Sequence, residues 1–327
     1  MVLKKKIFLS FRKALSVLSG TTIADTNTTI NGSSIVGFRE PYGINLYGAG
    51  ENESLIVVDL VAQQVVQIKN INSSNRTISA IACNTTNVVG FSSPSYALID
   101  TNHANDLYVS DIISKFVAIF PMMQMDNPPA RILLNASQSN GPSGIVMDQQ
   151  QNLYVAEVSG HRIVRWAPNA TAGVLIAGTG TAGSNSMSLN RPRGIFLDED
   201  KSLLYVADFQ NNRIQVFHLN GTPPYNGTTI AGGNGAGSGS HQLNRPNSVW
   251  VSKKTQAIYI VEASNHRVQR WSSGASSGVT VAGSPLGIAG SDDNMLNIPH
   301  ALAVNADETL MYVTDGSNQR IQRFDLI

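Results

Sequence analysis

A proline followed by a short apolar run recurs six times along this chain, at Pro41, Pro94, Pro142, Pro192, Pro246 and Pro299. The intervals are 53, 48, 50, 54 and 53 residues. A period of this size marks a supersecondary unit that cannot bury its own apolar face, so neighbouring units stack into one continuous core. No other feature constrains the fold as tightly.

Four units align closely. Pro142–Asp148 is followed by Leu153–Glu157 and His161–Trp166; Pro192–Asp198 by Leu204–Asp208 and Asn212–Phe217. The other two are Pro246–Ser252, Ile258–Glu262 and His266–Trp271, then Pro299–Asn305, Met311–Asp315 and Gln319–Phe324. Weaker copies begin at Pro41 and Pro94. Within a unit the Leu-Tyr-Val run is β-prone and Arg-Ile-Gln-Val-Phe alternates with period two, which predicts three short strands. A fourth is expected in each linker, at 77–82, 131–134, 174–177, 228–231 and 279–282. Four-stranded units at this spacing, without helical periodicity, predict an all-β fold: a six-bladed propeller of four-stranded blades.

The last unit stops three residues after its third strand. Its missing fourth strand is expected from the N-terminal stretch between Thr21 and Val36, where Thr28–Ile30 and Ser34–Val36 are β-prone. Such closure removes an exposed sheet edge. Residues 1–20 are assigned to an extension, a targeting or disordered segment or the edge of an incomplete chain, and 21–327 to a single propeller domain.

The run Pro-x-Gly-Ile-x-x-Asp, Leu-Tyr-Val-Ala-Asp, Asn-Arg-Ile-Gln-Val-Phe resembles the NHL repeat. The resemblance spans Pro41 to Phe324 and is strongest over the last four units. It implies a six-bladed propeller but no single activity, because that architecture hosts lyases, receptor modules and RNA-binding domains.

Each acid ending a second strand stands five residues before an Arg opening the third: Glu157 and Arg162, Asp208 and Arg213, Glu262 and Arg267, Asp315 and Arg320. A hairpin of that length brings both ends together, so these are expected to be structural acid–Arg pairs. The first two units lack the Arg, placing Gln64 and Phe116 opposite Asp59 and Asp111, and are expected to be looser. Gly178–Gly183 fits a dinucleotide fingerprint, but no amphipathic helix follows to hold a pyrophosphate, so it is expected to be an inter-blade loop.

His161 and His266 occupy the turn before the repeat Arg, where other units carry Asn212 and Gln319. Amidating lyases that resemble this chain place several His around the central channel for zinc. The corresponding positions here are Tyr42, Ser95, Ser143, Arg193, Asn247 and His300, which cannot supply a three-His site. Neither metal nor cofactor is expected. Ser143, Arg193, Asn247 and His300 are polar and differ between units, and they form the candidate ligand-binding ring at the channel mouth.

The net charge of +1 and the lack of a basic run beyond Lys4–Lys6 argue against nucleic acid as a partner. No window is apolar over the length of a membrane span. Cys83 is the only cysteine, so no internal disulfide forms, and it is expected to be a small buried hydrophobe. Ten Asn-x-Ser/Thr acceptors, among them Asn169, Asn220 and Asn226 in outer connectors, point to an extracellular glycoprotein, with a cytoplasmic setting as the alternative.

These features favour a non-enzymatic, monomeric scaffold that binds a protein or carbohydrate through loops and the channel mouth. Two alternatives remain: a propeller hydrolase or lyase with a pocket at the channel, and an intracellular NHL domain in RNA binding or ubiquitin-ligase assemblies.

Overall fold

The computed structural model describes residues 20–24, 37–73, 76–83, 89–101, 106–122 and 130–326. Strand β1 (Gly20–Ala24) stands first in the chain. Blade 1 is β2 (Pro41–Tyr47), β3 (Ser54–Asp59), β4 (Gln64–Lys69) and β5 (Thr77–Cys83). Blade 2 is β6 (Pro94–Asp100), β7 (Asp106–Asp111), β8 (Phe116–Phe120) and β9 (Arg131–Leu134). Blade 3 is β10 (Pro142–Met147), β11 (Leu153–Glu157), β12 (Arg162–Trp166) and β13 (Val174–Gly178). Blade 4 is β14 (Pro192–Asp198), β15 (Leu203–Asp208), β16 (Arg213–His218) and β17 (Gly227–Gly232). Blade 5 is β18 (Pro246–Val251), β19 (Ile258–Glu262), β20 (Arg267–Trp271) and β21 (Val279–Gly283). Blade 6 is β22 (Pro299–Val304), β23 (Leu310–Asp315) and β24 (Arg320–Asp325), with β1 as its outer strand.

All six sheets are antiparallel, and each innermost strand packs on that of the next blade, with β2 closing on β22. The second strands are covered on both faces by neighbouring blades, which explains their unbroken apolar runs; every residue of β3, β11 and β19 is buried. Apolar layers fill the space between blades, as where Ile163 and Ala177 of blade 3 join Leu204 and Phe217 of blade 4 around Leu189.

Near the axis the strands approach closely, and there the Gly of the Pro-x-Gly motif is required. A Cβ at Gly43 would lie 2.2 Å from the Ser95 carbonyl oxygen, and one at Gly144 would lie 2.3 Å from that of Arg193. Only a residue without a side chain admits that approach.

The ring is closed by an N-terminal strand, but by Gly20–Ala24 rather than by the pieces at 28–30 and 34–36, which lie outside the described residues together with residues 1–19. Its register on β24 (Gly20 opposite Phe324, Thr22 opposite Gln322, Ala24 opposite Ile321) repeats that of β17 on β16 (Gly227 opposite Phe217, Thr229 opposite Gln215, Ala231 opposite Ile214). The side chain of Cys83 also lies outside the described residues.

Two ends of the channel can be told apart. The innermost strands begin at the proline end, where each repeat proline opposes the acid of its blade and where the loops between blades lie. They finish at the far end, beside the connectors between third and fourth strands.

Candidate functional site

At the proline end, the hairpin of blade 4 brings Arg213 Nε to 2.7 Å from Asp208 Oδ2, with Asp208 fully buried. The same contact is 2.6 Å for Arg267 and Glu262, 2.8 Å for Arg320 and Asp315, and 2.7 Å for Arg162 and Glu157. The guanidinium does more than neutralise the acid. Arg213 donates to the carbonyls of Ser184, Asn185 and Ser188, and Arg267 to those of Ser238, Gly239 and Gln242. Each Arg thereby ties down the loop that enters its own blade. The glycine-rich stretch 178–183 belongs to one such loop, with no helix after it.

Asn211, Asn265 and Asn318 lie outside the motif read from the sequence, yet each stands three residues after the acid and bonds both it and a loop carbonyl. Blade 3 has Gly160 there, and Glu157 Oε1 is buried without a partner. Burial pushes the Asp208, Glu262 and Asp315 carboxyls above their ordinary range, against the pull of these hydrogen bonds.

In blades 1 and 2 the acid keeps its backbone work without an Arg. Asp59 accepts from the N–H groups of Arg39, Glu40 and Ala62, and Asp111 from those of Ser92, Ser93 and Ser114. Both carboxylates are fully buried, and their satisfied oxygens explain why the blades close without the pair.

His161 and His266 take left-handed turn positions, with φ of 51° each, as do Asn212 and Gln319. Each ring accepts a backbone N–H at Nδ1, from Arg191 for His161 and from Ile298 for His266. Asn212 Oδ1 does the same for Arg245.

Arg193, Asn247 and His300 converge with Tyr42, but as a plug, while the buried Ser143 hydroxyl bonds none of them. Arg193 Nη1 donates to Asn247 Oδ1 at 2.7 Å and to the Tyr42 hydroxyl; Asn247 Nδ2 donates to the His300 carbonyl at 2.7 Å; and His300 stacks on Tyr42 with ring centroids 4.2 Å apart. Ser143 and Asn247 are fully buried and His300 is 5% exposed, so these three are interior groups rather than an open rim. The reason is the radius: strands that meet carbonyl to glycine leave no lumen at this level. Arg193 alone is half-buried, with its guanidinium 3.9 Å from the Phe209 ring. Burial lowers the His300 pKa against the nearby Glu40 carboxylate, 3.2 Å away but poorly aligned for a hydrogen bond.

The far end is open. A cavity of about 310 Å³ is lined by residues of all six innermost strands, and Asn45, Ser248, Tyr96 and the Trp250 indole supply its polar side-chain atoms. Phe196 and Trp250, both in its lining, meet edge to face with ring centroids 6.2 Å apart, and Trp250 meets Tyr259 in the same way at 5.6 Å. Beside it, between blades 3 and 4, a polar groove is lined by Asp148, Arg165, Glu199 and Asp200. Two of these carboxylates hold turns: Asp148 accepts from Asn152, and Glu199 from the Gln149 N–H. Among the described residues no three His, Cys, Asp or Glu side chains stand close enough to hold a metal ion.

Asn169, Asn220 and Asn226 are exposed in connectors between third and fourth strands. No helix among the described residues is long and apolar enough to cross a membrane.

No family model matches the chain. In sequence it is similar to NHL repeat-containing protein 2 of Bos taurus, with 36% identity over 85 residues, or 24% of this chain and 12% of the relative. That match and the six motif-bearing units in a closed ring of four-stranded blades agree on the repeat and the fold. The chain is a six-bladed β-propeller whose blades resemble NHL repeats.

This propeller spans about an eighth of that curated relative's length. In structure it is similar to an auxiliary nutrient binding protein from Bacteroides thetaiotaomicron, with TM-score 0.70 and 13% identity over 94% of this chain and 76% of the other. A protein of unknown function from the same organism gives 0.71 and 16% over the same shares. Virginiamycin B lyase from Staphylococcus aureus gives 0.60 and 13% over 95% of this propeller and all of the lyase. At these identities the likeness is one of fold, which serves both binding proteins and enzymes.

Proposed function

We propose that this propeller is a non-enzymatic recognition module that seats a protein or carbohydrate ligand at the far end of its channel. The observation that carries this reading is the far-end cavity, where six strand ends bring apolar side chains and the aromatic pair Phe196 and Trp250 together with exposed backbone polar groups. Concave apolar sites with a few polar groups bind; hydrolysis or elimination also needs a positioned acid or base, and Tyr96 is the only titratable side chain in the lining. Burial pushes the Tyr96 hydroxyl far above its ordinary range, which makes it a poor base at neutral pH. An extracellular setting is part of the proposal, supported by the exposed acceptors Asn169, Asn220 and Asn226.

The test is a binding screen of the purified protein against immobilised glycans and secreted proteins, followed by Trp250→Ala. A ligand of the cavity should lose about tenfold or more in affinity, as expected for an aromatic anchor. A ligand that binds the variant as well as the parent would move the site elsewhere, and turnover of a lactone or lyase substrate would overturn the non-enzymatic reading.

A further inference from the structure

We propose that the proline end of the channel carries an oxyanion seat built on Arg193, with Arg245 and Arg191 around it. It lies at the opposite end from the recognition cavity and does not depend on that reading. Repeat arginines in this propeller have an acid of their own, yet these three make no ion pair among the described residues. Their positions are fixed. Arg193 stands at the axis, and Arg193 and Arg245 share the Phe209 ring, with guanidinium carbons 3.9 and 5.9 Å from its centroid. Arg191 and Arg245 each precede a repeat proline with φ of 55° and 52°, and their N–H groups are held by His161 and Asn212.

Arg193 spends only one nitrogen on the plug. Nη1 donates to Asn247 and Tyr42, while Nε and Nη2 donate to nothing. Nε is buried as well as unpartnered, so Nη2 is the donor left to a carboxylate or phosphate, in a charge-assisted hydrogen bond. The surrounding ring holds further unspent polarity, in the buried Ser143 Oγ and His300 Nδ1, neither of which has a hydrogen-bond partner. A cation half out of water on an aromatic face, without a counter-ion, attracts an anion more strongly than an exposed one does. The ligand is therefore a small molecule bearing one carboxylate or phosphate group.

The experiment is calorimetric titration of the full chain with glucuronate and, separately, inorganic phosphate, at constant ionic strength with chloride as the reference anion. Saturable binding of at least one is expected; glucuronate alone identifies a carboxylate ligand, phosphate alone a phosphoryl ligand, and both a seat that reads negative charge. Arg193→Gln should weaken binding about tenfold or more, Arg245→Gln several-fold, and Arg165→Gln at the far end not at all. If neither anion binds better than chloride, or if a folded Arg193→Gln binds as the parent does, the seat does not exist. Should Arg193→Gln fail to fold, the exposed Arg245 decides, and unchanged binding in Arg245→Gln overturns the proposal.

Discussion

Arg213, Arg267, Arg320 and Arg162 occupy one repeat position, but their side chains are 9%, 2%, 11% and 37% exposed. Truncating the buried ones strands a buried carboxylate and frees a loop, at a cost of about 3–5 kcal/mol, whereas Arg162 is partly exposed and holds no loop carbonyl, so its loss strands Glu157 where water can enter and costs about 1–3 kcal/mol. Urea melts should therefore rank Arg267→Ala and Arg213→Ala as most damaging, Arg320→Ala next and Arg162→Ala least, with Arg193→Ala below Arg213→Ala because no acid is left behind. An equal loss across the series would mean that the pairs carry little of the stability. Histidine supplies a second prediction. Burial holds the His161 and His266 rings below the ordinary imidazole range, aided by Arg191 at His161 and opposed by Asp208 and Asp315. Each must keep Nδ1 unprotonated to accept its N–H. As pH falls below about 6.5 the unfolded chain takes up these protons first, so stability drops. His266→Asn, which copies Asn212 of the preceding blade, keeps an acceptor and removes the proton site, so its melting temperature should fall less steeply on acidification than the parent's. Comparing the two cancels the buried acids, whose raised pKa values act with the opposite sign. The five-residue spacing makes the acid–Arg pairs legible in sequence; the Asn three residues after the acid carries a similar signal, but one that only the loop carbonyl it reaches makes meaningful.

Strand β1 shows what an element gains from its setting. Five residues would not hold a strand alone. Docked on β24, they bury Ile23 and Ala24 and complete the fourth strand of blade 6. Deleting residues 1–40 should lower the melting temperature by several degrees, since the burial of Ile23 alone is worth about 2 kcal/mol. The uncovered β24 edge should also make the protein associate with rising concentration, checked by light scattering. A truncated chain that melts like the parent would contradict this. Closure from the N-terminal side follows from counting strands, but the strand that closes the ring lies upstream of the β-prone pieces expected to do so. The signal is present in the sequence: Gly20-Thr-Thr-Ile-Ala24 has the same five residues as Gly227-Thr-Thr-Ile-Ala231, and each Gly lies under the aromatic ring that ends a third strand, Phe324 or Phe217.

Across the whole molecule, the proposed ligand cavity and oxyanion seat take opposite ends of the channel and leave the outer rim to the Asn acceptors. Asn169, Asn220 and Asn226 stand in solvent on connectors that do not line the far-end cavity, although Asn169 borders a smaller pocket between blades 2 and 3. Given a secretion signal in a eukaryotic host, at least one of the three should carry a glycan, seen as a mobility shift on amidase treatment. A secreted chain with no glycan would remove the support for an extracellular setting. The repeat by itself determined six units, four strands in each, the acid–Arg pairing and the need for closure, because these follow from local spacing and a period-two pattern. What only the tertiary structure decided is which polar groups meet solvent. Tyr42 and Asn247 are 205 residues apart and share a hydrogen bond, and Arg193 reaches across the axis to both. No local pattern encodes such contacts, since they depend on the radius at which six strands converge. That radius buried Ser143, Asn247 and His300, left Arg193 half in solvent, and moved the open cavity to the opposite end.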